Sequence, residues 1–505
     1  MPSLRSRFTV VAVALTVAAN AHSASAQTST NRGKLAPDGV TPGVASMSTA
    51  SASAKAAFAE GLRASDVERG PAARAAFLRA VGADPNFALA HLYAARTANS
   101  LPEYRAHLDH ATQYSAGASE AEKLMIQMER RGFDGDVEGQ LQLAEQLVKV
   151  APSNPRAWIQ LAGIQSGLGR EADARRTLSK AITLSPNFAA AHVLLGNSYL
   201  QIEPRDLTQA EKHVKQAVAL EPNEPFTHDY LGDTYRAQNK LEKARAEYTR
   251  MTVLNPKLAG AYQQRGHVNS FLGNYAQAGA DYDKSMMLGQ DNEKPNYAVY
   301  KALVAVHAGD PAAAERELGQ LVDAIDGMNV PDPTQAKIFA LETQAEIAMN
   351  RGHMDVAQTA IDKLRPLYAK QAAQAGTPEF KAFADAAMAY DDGLLAARKG
   401  DYATASAKAA EYMRLRSAEK NSRKDEQAHA LLGMTALLQK DYAGAAAHFE
   451  HANPNDIYIA YYHALALEGA GRKAEARVLF KRVAETNFNG SGLALVKKDA
   501  ARRMK

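Results

Sequence analysis

Apolar residues recur along most of the chain at intervals of three and four positions. In the stretch RAWIQLAGIQS (156–166), for example, Ala157, Leu161 and Ile164 fall at i, i+4 and i+7. This spacing places the apolar side chains on one face of an α-helix. Such segments are about a dozen residues long and alternate with turn signals. The pattern therefore predicts many short helices packed side by side.

Two kinds of turn separate the predicted helices. The first contains a proline: Pro186, Pro222 and Pro256 are spaced by 36 and then 34 residues. Each proline is expected to end a helix, because its ring and missing N–H disfavour continuation. The second kind lies between the two helices of a unit, at Gly169, Asn239, Gly273, Gly309, Gly352, Gly400, Lys440 and Gly471. Glycine and asparagine tolerate the left-handed conformation that closes a helix, so we expect that conformation at these turns.

The spacing within each unit is also specific. One unit contains His192, Leu195, Gly196, Tyr199, Ala210, Val214 and Pro222, and the next contains His228, Leu231, Gly232, Tyr235, Ala244, Tyr248 and Pro256. These positions follow W-x2-L-G-x2-Y, then A-x3-F, then P, so the chain resembles the tetratricopeptide repeat (TPR) family. The resemblance implies an all-α fold, a right-handed superhelical α-solenoid of about ten helix pairs. The glycine and alanine positions of this pattern, Gly196, Ala210, Gly232 and Ala244, are then expected where paired helices touch.

Two turns also match a nucleotide-binding pattern. GLGREADAR (167–175) and GAGRKAEAR (469–477) both read G-x-G-x-x-A. A dinucleotide-binding turn needs a preceding strand and an acidic residue about 20 positions later. A helical pattern precedes the first copy, and no acidic residue lies between Ala174 and Ile202. We therefore interpret both copies as repeat turns and predict no cofactor.

The N-terminus has the layout of a secretory signal peptide. Arg5 and Arg7 precede the apolar run FTVVAVALTVAA, and small residues stand at Ala24 and Ala26. We predict a signal peptide at 1–26 with cleavage near Ala26, so the protein is expected to be a TPR protein of the exported bacterial type, periplasmic or secreted. The apolar run is shorter than the ~20 residues of a membrane span, and no later stretch is apolar enough for one.

The regularity of the repeats divides the rest of the chain into four segments. Residues 27–54 are rich in Ser, Thr, Ala, Gly and Pro and predict a flexible leader. Regular TPR repeats are expected at 55–290. At 291–420 the turn spacing widens to 43 and then 48 residues (309 to 352 to 400), which predicts divergent repeats. TPR repeats and a capping helix are expected at 421–505.

Charge and cysteine content exclude several functions. The net charge is +4, and the predicted signal peptide holds two arginines and no acid, which leaves +2. A nearly neutral chain is a poor candidate for nucleic-acid binding. The sequence has no cysteine, so disulfides, thiolate metal sites and a cysteine nucleophile are excluded.

Two histidine pairs are the strongest candidates for metal chemistry. His107 and His110 stand three positions apart, as do His448 and His451, a spacing that can present two imidazoles to one ion. Neither pair has a third ligand nearby in sequence, so the sequence predicts no metal site.

Catalytic motifs are missing from the sequence. It contains no GxSxG, HExxH or GxxxxGK[ST] pattern. Asp391 and Asp392 are adjacent, and neighbouring helical residues point about 100° apart, so they do not form a paired acid site. We predict that the protein is not an enzyme, although a hydrolase with an unmarked site in 291–420 stays open.

The resemblance implies that the first helices of the repeats line a concave groove. The residues that map to groove positions are Asn197, Asp229, Asp233, Arg236, Gln263 and His267. We predict a non-catalytic scaffold or adaptor that binds a peptide or protein partner there. The alternative is a repeat protein that binds envelope polysaccharide or a cell-wall fragment, which would be expected to show aromatic platforms in the groove.

Overall fold

The computed structural model describes residues 47–67, 70–202 and 204–504. The predicted signal peptide and most of the predicted leader lie outside these residues. The described part of the chain contains 25 α-helices and no β-strand. The predicted all-α solenoid is confirmed.

Two compact units make up the described residues. The N-terminal unit contains residues up to 234 and 246–261, and the C-terminal unit contains 235–245 and residues from 262 onward. The helices of the N-terminal unit are α1 (Ala52–Asp66), α2 (Gly70–Ala83), α3 (Ala88–Arg96), α4 (Leu101–Gln113), α5 (Glu120–Phe133), α6 (Val137–Val150), α7 (Pro155–Gly167), α8 (Glu171–Leu184), α9 (Ala189–Gln201) and α10 (Leu207–Leu220). Three helices contribute residues to both units: α11 (Pro225–Ala237), α12 (Leu241–Leu254) and α13 (Ala259–Leu272).

The C-terminal unit continues with longer helices in its middle. Its remaining helices are α14 (Tyr275–Leu288), α15 (Lys294–Ala308), α16 (Pro311–Ala324), α17 (Thr334–Arg351), α18 (Met354–Ala375), α19 (Pro378–Arg398), α20 (Tyr402–Leu415), α21 (Glu426–Leu438), α22 (Tyr442–Glu450), α23 (Ile457–Gly469), α24 (Lys473–Glu485) and α25 (Ser491–Arg503).

The described helices form twelve consecutive pairs and one terminal helix, more than the predicted ten or so. In some of these pairs the two helices are connected by a turn that contains no glycine. The turn between α3 and α4 is TANS (97–100), and α3 itself has only 9 residues. The connection between α9 and α10 also contains no glycine. These pairs therefore carry a weaker turn signal in the sequence.

All eight turn residues named from the sequence adopt the left-handed conformation, with φ between 57° at Asn239 and 100° at Gly309. The prediction is confirmed even at Lys440, where φ is 64°. A left-handed residue reverses the chain within a few positions, and this lets two helices pack side by side.

Small residues lie where paired helices touch, as the repeat pattern predicts. Ala210 and Ala244 are completely buried. A Cβ atom added at Gly196 in α9 would lie 2.7 Å from Cγ2 of Val214 in α10. The close approach of the two helices therefore depends on a residue without a side chain.

In several repeats the first helix is also tied to the proline turn before it. Trp158 Nε1 donates to the carbonyl oxygen of Pro152 at 2.9 Å. His192 occupies the equivalent position one repeat later, and its Nε2 donates to the carbonyl oxygen of Pro186 at 3.0 Å. A histidine therefore replaces the tryptophan of the repeat pattern without losing this hydrogen bond.

Candidate functional site

The C-terminal unit binds a segment of its own chain. After α24 the chain stops being helical, and residues 486–490 run with extended backbone at both ends. The side chains of this segment are buried, with 1% of Asn487, 7% of Phe488 and 2% of Asn489 exposed. The following helix, α25, packs against α15 and α17 as well as against α23 and α24. The segment and its helix therefore dock against helices far from them in sequence.

The side chain of Asn489 forms hydrogen bonds with residues on three helices. Its Nδ2 donates to Nδ1 of His267 on α13 at 3.0 Å and to the hydroxyl of Tyr282 on α14 at 3.2 Å. Its Oδ1 accepts from Nε2 of His307 on α15 at 2.8 Å. Burial lowers the pKa of His307 to about 4 and raises the pKa of Tyr282 above its usual value. The asparagine is thus held by uncharged partners.

Asn487 and Phe488 contact the turn between α11 and α12. Asn487 Nδ2 donates to the backbone carbonyl of Arg236 at 2.9 Å and to Oδ1 of Asn239 at 3.1 Å. The guanidinium carbon of Arg236 lies 4.7 Å from the centre of the Phe488 ring, within the range of a cation–π interaction. We call the surface formed by Arg236, Asn239, His267, Tyr282 and His307 the docking surface.

Lys497 fixes the segment from the side of α25. Its ammonium donates to the carbonyl oxygens of Ala484 at 2.6 Å and Thr486 at 2.5 Å, and to Oδ1 of Asn487 at 3.0 Å. Burial lowers the pKa of Lys497 to about 8. The next residue, Lys498, is exposed, whereas Lys497 is half-buried.

A recess adjoins the start of α25. Its lining comes from α17, α18, α19, α21 and the start of α23. Four acidic residues and one arginine line it: Glu342, Glu346, Asp391, Asp456 and Arg398. Ser491 donates to Glu346, and Arg398 Nη2 donates to the hydroxyl of Tyr462 at 2.8 Å. The charge of the lining is therefore mainly negative.

The adjacent aspartates diverge, as the sequence predicted. Asp391 is buried at the recess, with 3% exposed. Asp392 instead forms ion pairs with Arg365 at 3.0 Å and Lys408 at 3.5 Å. The pair of carboxylates does not converge on one substrate atom.

The six predicted groove residues fall into two groups. In the C-terminal unit, Arg236 and His267 are part of the docking surface, and Gln263 is buried with 8% exposed. In the N-terminal unit, Asp229 is buried and Asn197 is half-buried. Asp233 accepts a hydrogen bond at 2.6 Å from Tyr248, which belongs to the second helix of the same pair. The structure brings only Arg236 and His267 to the bound segment.

Sequence reasoning missed Asn487, Asn489 and Lys497. The sequence TNFNGSG (486–492) interrupts two helical patterns and alternates asparagine with an aromatic residue. That interruption was a signal for a specific loop, but it did not indicate which surface the loop would contact.

Two stretches of the chain, residues 155–188 and 259–291, match the family model described as tetratricopeptide repeat. The repeat type that the sequence predicted is confirmed at these residues. No curated protein sequence matches the chain.

The chain is also similar to parts of several solved structures. MamA from Desulfovibrio magneticus RS-1 is 22% identical, covering 33% of this chain and 94% of that chain with a TM-score of 0.29. PilF of Pseudomonas aeruginosa is 21% identical, covering 43% and 92% with a TM-score of 0.30. A chain of the APC/C hetero-tetramer Cut9–Hcn1 is 15% identical, covering 88% and 76% with a TM-score of 0.41.

None of the described helices combines the length and the apolarity that crossing a membrane requires.

Proposed function

We propose that the protein is a non-catalytic scaffold whose docking surface binds an extended segment of a partner protein. The observation that supports this is the protein's own segment at 486–490, which lies on that surface. It is held through amide side chains, one aromatic ring and backbone carbonyls. A peptide of another protein can offer the same groups.

In this proposal the partner's segment replaces the chain's own. The side chains of Asn489 and Asn487 are held by hydrogen bonds to uncharged groups and to the Lys497 ammonium. A neutral hydrogen bond contributes only about 0.5–1.5 kcal/mol net. A partner that offers equivalent groups and further contacts therefore displaces the segment at modest cost.

The predicted signal peptide at 1–26 supports a location outside the cytoplasm. We propose that the partner is an envelope or secreted protein, and that Gln263 extends the binding surface within the C-terminal unit. The predicted groove residues Asn197, Asp229 and Asp233 are proposed to contact a partner within the N-terminal unit. Polysaccharide or cell-wall binding is the alternative. The two tyrosines that line the recess, Tyr390 and Tyr458, are 7% and 8% exposed, which favours the protein partner over stacking on sugar rings.

A labelled peptide with the sequence of residues 484–492 tests the docking surface directly. The full chain carrying N487A and N489A has lost the amides that hold its own segment, so it is expected to bind this peptide at least ~10-fold more tightly than the unmodified chain, whose own segment competes at high effective concentration. A peptide with both asparagines replaced by alanine serves as the control and should bind neither protein. Equal binding by both proteins contradicts the proposal.

Retention of a partner from envelope extract tests the function. Arg236→Ala removes the guanidinium that covers Phe488, whereas Arg245→Ala removes an arginine that is 41% exposed and pairs with Glu242. A true partner is retained by the unmodified chain and by R245A but lost by R236A, with circular dichroism confirming that both variants fold. Retention that is the same for both variants is evidence against this surface, and specific hits on a glycan array support the polysaccharide alternative.

A further inference from the structure

Three histidines of the N-terminal unit converge on one point. His91 lies on α3, and His107 and His110 lie on α4. Each offers one ring nitrogen, and the three nitrogens all lie within 4.8 Å of one another. Within the described residues, no other group of three or more His, Cys, Asp or Glu side chains has its ligand atoms this close. The third ligand that the sequence did not provide for His107 and His110 is therefore present in the fold.

The tautomer of His91 is fixed by its repeat position. Its Nε2 lies 3.0 Å from the carbonyl oxygen of Pro85. A carbonyl oxygen can only accept, so the proton is on Nε2 and the lone pair is on Nδ1. Nδ1 of His91 lies 3.1 Å from Nδ1 of His107. Histidines that bind metals characteristically donate their other N–H to a carbonyl or carboxylate, which orients the ring.

The distances suit a single ion. Zinc–nitrogen bonds of about 2.0–2.1 Å in a tetrahedral site imply about 3.3 Å between two ligating nitrogens. The 3.1 Å between His91 and His107 is close to this value. His110 is exposed, and its ring centre lies 5.0 Å from that of His91. A small rotation of this exposed side chain brings its nitrogen into range, and the solvent side stays open for a water ligand.

The surroundings of His91 and His107 favour the neutral imidazole, which is the form that binds metals. Burial lowers the pKa of His91, and the neighbouring His107 and His110 act in the same direction against the carbonyl of Pro85 and the carboxylate of Asp84. Burial also lowers the pKa of His107, where His110 and Arg74 oppose Glu103. Both effects favour the neutral form of His91 and His107.

Other repeats contain incomplete versions of the same arrangement. His192 also donates from Nε2 to a proline carbonyl, and its Nδ1 faces Nδ1 of His213 at 3.4 Å, but no third ligand joins them at this spacing. In the C-terminal unit, His429 faces His448 at 3.3 Å and its ring centre lies 5.1 Å from that of His451. These three histidines do not bring their ligand atoms within the same range, so they provide a matched control.

We propose that His91, His107 and His110 bind one divalent transition-metal ion of the class that prefers imidazole ligands, with water completing its coordination. The ion joins α3 to α4 within one repeat. This site is independent of the docking surface, which lies entirely in the C-terminal unit.

Titration of the untagged chain with Zn²⁺ and with Co²⁺ tests the site. We expect about one equivalent of Zn²⁺ to bind with the highest affinity, and Co²⁺ to give the visible absorption of a low-coordinate nitrogen site. Binding should weaken below about pH 6, because the ligands must be deprotonated. Absence of saturable binding at neutral pH overturns the proposal.

Single substitutions locate the ion. Loss of an outer-shell partner of a metal ligand typically costs about 10–100-fold in metal affinity. H110A removes a ligand itself, at an exposed position, so it is expected to weaken Zn²⁺ binding at least ~10-fold. The control H451A should bind like the unmodified chain. His91→Trp copies Trp158, which keeps the hydrogen bond to the proline carbonyl but offers no ligand, and it should bind like H110A. Binding lost in H451A but kept in H110A, or kept in His91→Trp, excludes this three-histidine site.

Discussion

Asn489 Oδ1 accepts a hydrogen bond from Nε2 of His307 at 2.8 Å, although 182 residues separate the two in sequence. Burial is the main reason that the pKa of His307 is lowered to about 4, and the charges of Lys497 and Lys498 lower it further. His307 is therefore neutral in the folded chain while it donates this hydrogen bond.

The stability of the C-terminal unit should accordingly fall in mild acid. An unfolded histidine has a pKa of about 6.5, so between about pH 6.5 and pH 4 the unfolded chain binds a proton that folded His307 does not. The stabilisation is fully present above about pH 6.5 and is lost as the pH falls, by up to about 3 kcal/mol. Urea unfolding at about pH 7 and about pH 5 measures the loss. His307→Gln should lose about 2 kcal/mol less than the unmodified chain over this range, whereas an equal loss contradicts the prediction.

Lys497 offers a second test of the same segment. Replacement by methionine keeps the apolar stem but leaves the carbonyls of Ala484 and Thr486 without their donor. An unsatisfied buried polar group costs about 1–3 kcal/mol, so K497M should lower the thermal stability and speed amide hydrogen exchange in residues 484–490.

The neighbouring lysine is the control for that experiment. Lys498 is exposed, and K498M removes the same charge from the next position of α25. It should leave exchange in residues 484–490 close to that of the unmodified chain. If the two variants behave alike, the effect comes from the loss of net charge. The prediction that the Lys497 hydrogen bonds stabilise residues 484–490 is then wrong.

The parts of the fold that the sequence predicted depend on local physical constraints. A left-handed turn favours glycine or asparagine whatever surrounds it, so Gly169 and Asn239 could be identified within a short window. Helix contacts need small residues at fixed intervals, which made Gly196 and Ala210 recognisable. The spacing repeats about every 34 residues, so one recognised unit indicates where the next unit lies in the sequence.

The parts that the sequence did not predict depend on contacts between distant residues. Asn487 bonds to the carbonyl of Arg236, 251 residues away, and no periodic pattern links the two. Arg236 and His267 were predicted as groove residues from their repeat positions, but the segment that covers them is not a repeat. His91 was missed for a similar reason, since it joins His107 only when two helices of one pair are placed side by side.

Gly196 gives a direct test of the helix contacts. A Cβ there would lie 2.7 Å from Val214 Cγ2 and 3.1 Å from the backbone oxygen of Ala210. Gly196→Ala should lower the free energy of unfolding by about 1–3 kcal/mol, because overpacking forces the helices apart. Gly163 in α7 has nothing within 4 Å of its added Cβ, so Gly163→Ala should raise that free energy by about 0.5–1 kcal/mol. Urea unfolding of both variants checks the opposite signs, and two changes of the same sign would rule out the packing explanation.

Lys440 carries a conformational cost that its neighbours do not. It closes α21 in the left-handed region with φ at 64°, where the left-handed helical conformation costs an ordinary side chain about 1–2 kcal/mol. Most of the other turns of this kind carry glycine. Lys440→Gly should therefore raise the free energy of unfolding by about 1 kcal/mol, even though glycine makes the unfolded chain more flexible. The control is Gln439→Gly one position earlier, where φ is −76°, and it should lower the free energy by about 0.5–1 kcal/mol. A stabilising effect at 439 or a destabilising effect at 440, measured by urea unfolding, would contradict this account of the turn.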